Sequence, residues 1–378
     1  MTQRIVIVGG GTGGAVLANR LADKLDLENG EAEIVVINDG PDHVYKPTFL
    51  YIPFGKRTVE DASQPLVDLL DRRVDLVIDR VEAIDTSSKQ LTMATGDPMP
   101  YDYLVLATGS KLAPEEVPGL KEGGHHFYDP EGAARLRDAL AEFESGHLVL
   151  SVIGVPHMCP AAPLEFVFMA DEWLRELGRR DDIEITYTYP IQRIHGLEPV
   201  AEWAQPRFDE KGINAETFFN SEEIDAENQV IKTMEGTELD YDLLVAIPPH
   251  TGDPMIEAAG LGDNGWVEVD KHTLEAMHAE DVYAIGDTAD VPTSKAGSVA
   301  HYEAGALADR LVSELHGQVP TDRYGGKTIC FIEAGMDEGT FIEFDYERPP
   351  EPRPENKFIH WAKLAYNESY WLTARGHM

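Results

Sequence analysis

The chain has 378 residues, 43% of them hydrophobic, and carries 68 acidic against 31 basic side chains, a formal charge of −37. The hydrophobic fraction excludes wholesale disorder, the length suits two or three domains, and so negative a surface repels phosphate backbones and argues against nucleic-acid binding. Evenly spread acid repels itself until the Debye length shrinks to about 3 Å at 1 M salt, so the composition points to a salt-rich cell interior, as in a halophile, with a merely acidic mesophilic protein as the other reading.

In chain order, Ile5–Val8 reads as an apolar, β-branched strand, followed by GGGTGG and by AVLANRLADKL with helical periodicity. The next apolar run, Ile34–Ile37, ends at Asn38-Asp39-Gly40 and completes a strand–turn–helix–strand unit. Pro47 and Pro53 keep HVYKPTFLYIPFGKR out of regular structure. Val74–Val81, Gln90–Met93 and Tyr101–Thr108 read as further strands, and 119–124 as loop. His147–Ile153 opens a second unit of the same kind, with a helix from about Leu164 to Leu177 and a strand at Ile183–Tyr189. The tract 190–240 is mixed and polar, after which YDLLVAI echoes the earlier YDYLVLA, a sign of internal duplication. Asp281–Ile285 is a short strand ending in Gly286-Asp287, and a helix follows from about Ser298 to Leu315. The remainder reads as a hairpin around Cys330–Tyr346, a linker RPPEPRPEN and a short aromatic helix.

The expected fold is α/β: two Rossmann-like dinucleotide-binding domains, the second degenerate, plus a small C-terminal α+β region. The expected division is 1–112 with 241–318, then 113–240, then 319–378. No signal peptide precedes the first strand, and no apolar run approaches the ~18 residues that span a bilayer, so a cytoplasmic location is expected.

Gly9-x-Gly11-x-x-Gly14, between a strand and a helix, lets backbone N–H groups approach a pyrophosphate at the helix N-terminus. After the second strand stand Asn38 and Asp39, and either suits a ribose hydroxyl, so this loop alone does not separate FAD from NAD. At the corresponding place in the second unit the chain reads Gly154-Val-Pro-His-Met-Cys159-Pro-Ala-Ala-Pro-Leu-Glu165. Its prolines remove N–H donors and its later glycines are missing, so a second pyrophosphate has little to hold it. Cys159 stands instead at the turn into a helix, whose N-terminus is expected to stabilise a thiolate. Only one other cysteine exists, Cys330, and two inert thiols or one functional pair are both open readings.

With Ala107-Thr108-Gly109 after YDYLVL and Gly286-Asp287 in VYAIGDTAD, the glycine loop resembles that of the flavoprotein disulfide-reductase superfamily. The Cys-Pro-x-x-Pro-x-Glu motif, GGKTICFIEAG, YDLLVAIPPHTG, PTSKAGSVAH and HWAKLAYNESYWL resemble sulfide:quinone oxidoreductases, and the cysteine motif also the flavoprotein subunit of flavocytochrome c sulfide dehydrogenases. The resemblance covers nearly the whole chain. It implies FAD, held by Gly9, Gly11, Thr12, Gly13, Gly14, Asn38, Asp39, Pro47, Val81, Ala107, Thr108, Gly109, Gly286 and Asp287, with Lys295 as a cation beside the flavin, and no metal. It further implies a Cys159–Cys330 disulfide or its sulfur-bridged form, opened by hydrosulfide to a persulfide and a thiolate, with the electrons passing to FAD. Glu165 is the implied proton acceptor, with a dipole-favouring first-turn Glu as the plain alternative; His195 matches a site histidine, with an ordinary loop histidine as alternative.

A membrane quinone is the implied electron acceptor, met by Phe331, Phe341 and Phe344. Phe358, Trp361, Leu364, Ala365, Trp371 and Leu372 give the last helix one apolar face, suited to peripheral contact with the cytoplasmic side of a membrane or to packing on the protein's own core. That tail is shorter than the paired helices many members carry. Rival readings are a type II NADH:quinone dehydrogenase, a persulfide or polysulfide reductase, and a flavin-binding redox sensor or scaffold without turnover. Oligomeric state stays open, a homo-oligomer included.

Overall fold

The structure is a computed structural model that describes residues 2–377. In chain order its main elements are β1 (Gln3–Val8), α1 (Thr12–Lys24), β2 (Ala32–Asn38), β3 (Asp75–Ile78), β4 (Tyr103–Leu106), β5 (Gly146–Val152), α2 (Ala162–Glu176), β6 (Ile183–Tyr189), α3 (Glu198–Lys211), β7 (Ile213–Thr217), β8 (Leu243–Ile247), β9 (Val282–Ala284), α4 (Gly297–Leu315), β10 (Thr328–Glu333), β11 (Gly339–Phe344) and α5 (Lys357–Thr373).

Two parallel sheets form the body. The first has the order β9-β4-β1-β2-β3, the second β7-β6-β5-β8. Ile5–Val8 is apolar at every position because both faces of this sheet are covered. Ile5 and Ile7 pack with Leu17 and Leu21 of α1 and Leu307 and Leu311 of α4, while Val6 and Val8 pack on the opposite side with Ile84, Leu91 and Ile256. The second sheet repeats the arrangement, with Leu148 and Leu150 against Phe166 and Val167 of α2 and Val149 against Ile224 and Ile231.

The echo between YDYLVLA and YDLLVAI is structural. In each unit a three-stranded antiparallel meander, 81–100 in the first and 221–240 in the second, leads into a strand that pairs in parallel with the unit's first strand. Leu243–Ile247 therefore belongs to the second sheet, aligned as Leu148↔Leu243. This corrects the expected boundary at 241: the strand that returns to the first sheet is β9, paired with β4.

Three local expectations also change. The run Val74–Val81 divides into β3 and a meander strand starting at Val81, 119–124 holds a helical turn at Leu120–Gly123, and the polar tract 190–240 contains α3. The C-terminal hairpin of β10 and β11 packs Ile332, Ile342 and Phe344 into the core of the second unit, and α5 lies across it.

Candidate active site

One cleft is bounded by the glycine loop, the start of α4, the turn into α2, β10 and the inner face of α5. At the glycine loop, Gly9 has φ +107 and a Cβ on Gly14 would lie 1.9 Å from the Gly9 carbonyl oxygen, so helix and strand meet this closely only without a side chain. The N-terminal N–H groups of α1 have no intrahelical acceptor, and a Cβ on Gly11 would meet nothing within 4 Å. Free donors facing open space fit a pyrophosphate. Gly9, Gly11, Thr12, Gly13, Asp39 and Pro47 line this end; Gly14 acts from behind, through the close contact with Gly9.

Asn38 also borders the cleft, but its side chain is committed. Its Oδ1 accepts from Gly10 N–H at 2.8 Å and its Nδ2 donates to the Gly40 carbonyl at 2.7 Å. It shapes the loop, which leaves the exposed Asp39 as the carboxylate placed for a ribose.

The two later segments of the sequence meet each other. Gly109 N–H donates to Thr288 Oγ1 at 2.7 Å, Thr108 and Thr288 hydroxyls are 3.3 Å apart, and Ser110 Oγ donates to Asp287 at 3.1 Å. Ala107, Thr108, Gly109, Gly286 and Asp287 thereby form one continuous wall of the cleft. Buried Glu303 of α4 accepts from Gly286 N–H at 2.6 Å, and burial pushes its carboxyl up to about 8. Lys295 donates to the Asp287 carbonyl at 2.6 Å and lies 3.9 Å from the ring centre of Trp266.

Cys159 and Cys330 both line the cleft and both are free thiols. Cys159 has φ +48, in the left-handed region, and its N–H donates to the Lys295 carbonyl at 2.8 Å. The Ala162 N–H donates to the Cys159 carbonyl, so these two N–H groups are used internally and the adjacent prolines have none, which leaves fewer donors for a second pyrophosphate here. The expected thiolate is corrected. Burial, reinforced by the Glu165 carboxylate, pushes the Cys159 thiol up to about 12, outweighing Lys363 and the Ala162 N–H, and burial raises Cys330 as well.

Glu165, 2% exposed, receives the Glu333 N–H at 2.8 Å and is paired with the ammonium of Lys363, itself 7% exposed on α5. Burial raises the Glu165 carboxyl and the lysine opposes the rise. Lys363 also stands 3.7 Å from Glu333, which accepts from the Tyr51 hydroxyl at 2.6 Å and from His360 Nδ1 at 2.9 Å. Two buried carboxylates, one ammonium, a phenol and an imidazole thus run from beside the cysteines to the rim. Of this group only Glu165 is reached from the sequence. Lys363 is legible there only as one polar position on an aromatic helix.

The last helix has two faces. Tyr370 turns inward, its hydroxyl 2.6 Å from Thr12 Oγ1 in the glycine loop and 2.7 Å from His43 Nε2, while its ring stacks on Tyr45 at 3.8 Å. His43 Nδ1 lies 2.7 Å from the Gly10 carbonyl. A carbonyl only accepts, so Nδ1 carries the proton, Tyr370 donates to Nε2, and Thr12 donates to Tyr370. Outward, Phe358, Trp361, Ala365 and Leu372 form an exposed stripe, Phe358 at 79% and Trp361 at 60%. No helix among the described residues is long and apolar enough to cross a membrane.

Four expected site residues lie elsewhere. Val81 is buried in the core of the first unit and does not reach the cleft. His195, 2% exposed, accepts from Leu197 N–H behind the cleft, and burial holds its imidazole down to about 4. Phe344 is buried in the core, and Phe341 packs on Phe331 from outside with ring centres 6.1 Å apart, so of the three aromatics only Phe331 lines the cleft. Lys46, Tyr366 and Asn367 line it without having been expected.

Residues 3–304 match the family model described as pyridine nucleotide-disulphide oxidoreductase. The mitochondrial sulfide:quinone oxidoreductase of Dictyostelium discoideum is 26% identical, over 97% of this chain and 85% of that one. The sulfide-quinone reductase of Aquifex aeolicus is 24% identical, over 100% and 93%. The solved structure of the sulfide:quinone oxidoreductase from Aquifex aeolicus superposes with a TM-score of 0.87 at 22% identity, over 100% of this chain and 92% of that one.

Proposed function

The chain belongs to the pyridine nucleotide-disulphide oxidoreductase family, and from that premise we propose that it is an FAD-dependent sulfide:quinone oxidoreductase working through Cys159 and Cys330. The observation that carries this reading is the meeting of the only two cysteines of the chain on one cleft with the glycine loop, although 171 positions (330 − 159) separate them. Full-length likeness to sulfide:quinone oxidoreductases supports the same substrate and acceptor.

FAD, when bound, supplies the two-electron acceptor between sulfide and quinone. The loop from Gly9 to Gly14 and Asp39 would hold its pyrophosphate and ribose, and the wall from Ala107 to Gly109 with Gly286 and Asp287 its central portion. In the oxidised protein the two cysteines form a disulfide. Hydrosulfide attacks one sulfur, a new sulfur–sulfur bond forms as the old one breaks, and the products are a cysteine persulfide on one residue and a thiolate on the other. A raised thiol pKa makes the leaving thiolate strongly basic, and the ammonium of Lys363 is the cation near both sulfurs that offsets it. Glu165, held between Lys363 and the Glu333 amide, is the carboxylate nearest in role to a proton acceptor.

Phe331 and the inner residues of α5 are the surface a quinone would meet, and the stripe of Phe358, Trp361 and Leu372 suits contact with a bilayer interface. An NADH-driven reaction is disfavoured by the turn before α2, where Pro156 and Pro160 have no N–H and those of Cys159 and Ala162 are used internally. The test is sulfide-dependent quinone reduction by the purified holoenzyme. Cys159→Ser and Cys330→Ser should each abolish it while FAD stays bound; activity retained in both ends the disulfide mechanism.

A further inference from the structure

Next to Cys159 in the chain and in space, three buried polar atoms have no partner among the described residues: the Tyr128 hydroxyl, His157 Nε2 and His250 Nε2. Tyr128 is 6% exposed and His157 1%. The ring centres of Tyr128 and His250 are 5.4 Å apart, those of His157 and His250 6.2 Å, and those of Tyr128 and His157 6.4 Å. Tyr128 also lines the cleft beside Met158 and Cys159. One buried polar atom left unpaired costs about 1–3 kcal/mol. Three on adjacent rings form a cluster of unmet polar atoms, of the kind that a water or another small ligand satisfies.

The other ring nitrogens set the polarity of this place. His157 Nδ1 lies 3.0 Å from the Met158 carbonyl and His250 Nδ1 2.8 Å from the Pro248 carbonyl. Because a carbonyl only accepts, both Nδ1 atoms carry the proton. Burial holds His157 down to about 4 and His250 down to about 3, so both rings are neutral and both Nε2 atoms present lone pairs. Two lone pairs repel an anion and call for X–H donors, while the Tyr128 hydroxyl is free to donate.

The charged and titratable groups around the cluster do not change this balance. Lys46 and Lys295 act on His250 from the cleft side, but Lys46 donates to Met158 Sδ and Lys295 to the Asp287 carbonyl. His195 lies behind His157; its Nδ1 accepts from Leu197 N–H, so its Nε2, unpartnered among the described residues, carries the proton and is a donor on the Pro160 side rather than a third lone pair. Cys159, Glu165, Tyr187 and Tyr189 act on Tyr128.

A ligand with one heavy atom, two donors and one acceptor matches the cluster, and among forms of the substrate only neutral dihydrogen sulfide has that pattern. We propose that Tyr128, His157 and His250 form the site that takes sulfide into the protein as this neutral molecule, immediately before it reaches Cys159. The inference rests on the sulfide-oxidising reading above. Only binding is involved at this site; the proton leaves afterwards, at Cys159, to the Glu165 carboxylate, so that hydrosulfide is the species that attacks the sulfur. Dissolved sulfide is a mixture of dihydrogen sulfide and hydrosulfide at neutral pH, so the site selects the uncharged form, which a surface of charge −37 does not repel.

The test is steady-state sulfide oxidation by the FAD-loaded enzyme at pH values on both sides of the first ionisation of dihydrogen sulfide. KM expressed as total sulfide should be constant below that pH and rise about tenfold per unit above it, in step with the loss of the neutral form. Tyr128→Phe and His157→Leu should each raise KM about tenfold with kcat and FAD content retained, the size of one lost hydrogen bond. The wild-type profile needs no variant to fold. A KM that follows hydrosulfide, falling as pH rises, overturns the inference alone. So does an unchanged KM in both variants, which would mean the cluster holds water only. No cofactor reduction by sulfide at any pH overturns the proposed function, and this inference with it.

Discussion

Lys363→Met removes the ammonium between two buried carboxylates and leaves a side chain of similar length. Glu165 is 2% exposed and Glu333 is fully buried, so neither finds water as a substitute. Breaking a buried pair by deleting one partner costs about 3–5 kcal/mol, because the remaining charge is uncompensated. At about 2.1 cal/mol/K per residue, 378 residues unfold with an entropy of about 0.8 kcal/mol/K, so Tm should fall by about 4–6 °C. The loss must depend on pH. Glu165 has a raised carboxyl even with the lysine present, and without it the rise is larger. A carboxyl whose folded pKa lies above the unfolded value is harmless below the unfolded value of 4.5 and destabilises progressively as pH rises toward its folded value. The variant should therefore approach wild-type stability in mild acid and fall away from it toward pH 8. Thermal unfolding of both proteins across that range, followed by circular dichroism, is the assay. A Tm difference below about 1 °C, or one equal at all pH values, refutes the buried network.

Tyr370→Phe deletes the hydroxyl that joins Thr12 to His43, and should lower FAD affinity by about fivefold to tenfold, read by flavin release on dilution, because the glycine loop loses its inward support. Glu303→Gln keeps the hydrogen bond to Gly286 without a titrating group; wild-type stability should decline between 4.5 and about 8, the range over which this carboxyl ionises in the unfolded chain first, and the variant should lack that slope. Added potassium chloride should raise Tm steeply up to about 1 M, where screening is nearly complete, since 68 acidic side chains oppose 31 basic ones; a Tm indifferent to salt contradicts the halophilic reading.

What could be read in advance was what local pattern determines. The glycine loop, the two segments at Gly109 and Gly286, and the alternation of strand and helix are short-range signals, and each occupies its expected place in the fold. What failed depended on distant partners. Asn38 looked like a ribose ligand because Gly10, whose N–H occupies its Oδ1, lies 28 positions back and is joined to it only in three dimensions; its bond to Gly40 is local. Cys159 looked like an activated thiol because a helix follows it, but the helix begins at Ala162 and the surrounding protein buries the sulfur more effectively than the helix end favours its charge. Lys363 could not be assigned to Glu165, 198 positions away, by any periodicity. The boundary at 241 was misplaced because YDLLVAI repeats a first-unit motif, and a repeat states what a strand does within its unit, not which unit holds it.

Whether sulfide, acting at two cysteines, is the electron donor is decided by an anaerobic titration of the FAD-loaded protein, with sulfide and NADH added to separate samples and the oxidised flavin band followed. Sulfide should bleach that band, the bleaching should be lost in Cys159→Ser, and NADH at comparable concentration should leave the band unchanged. Bleaching by NADH with no response to sulfide would contradict the proposed function.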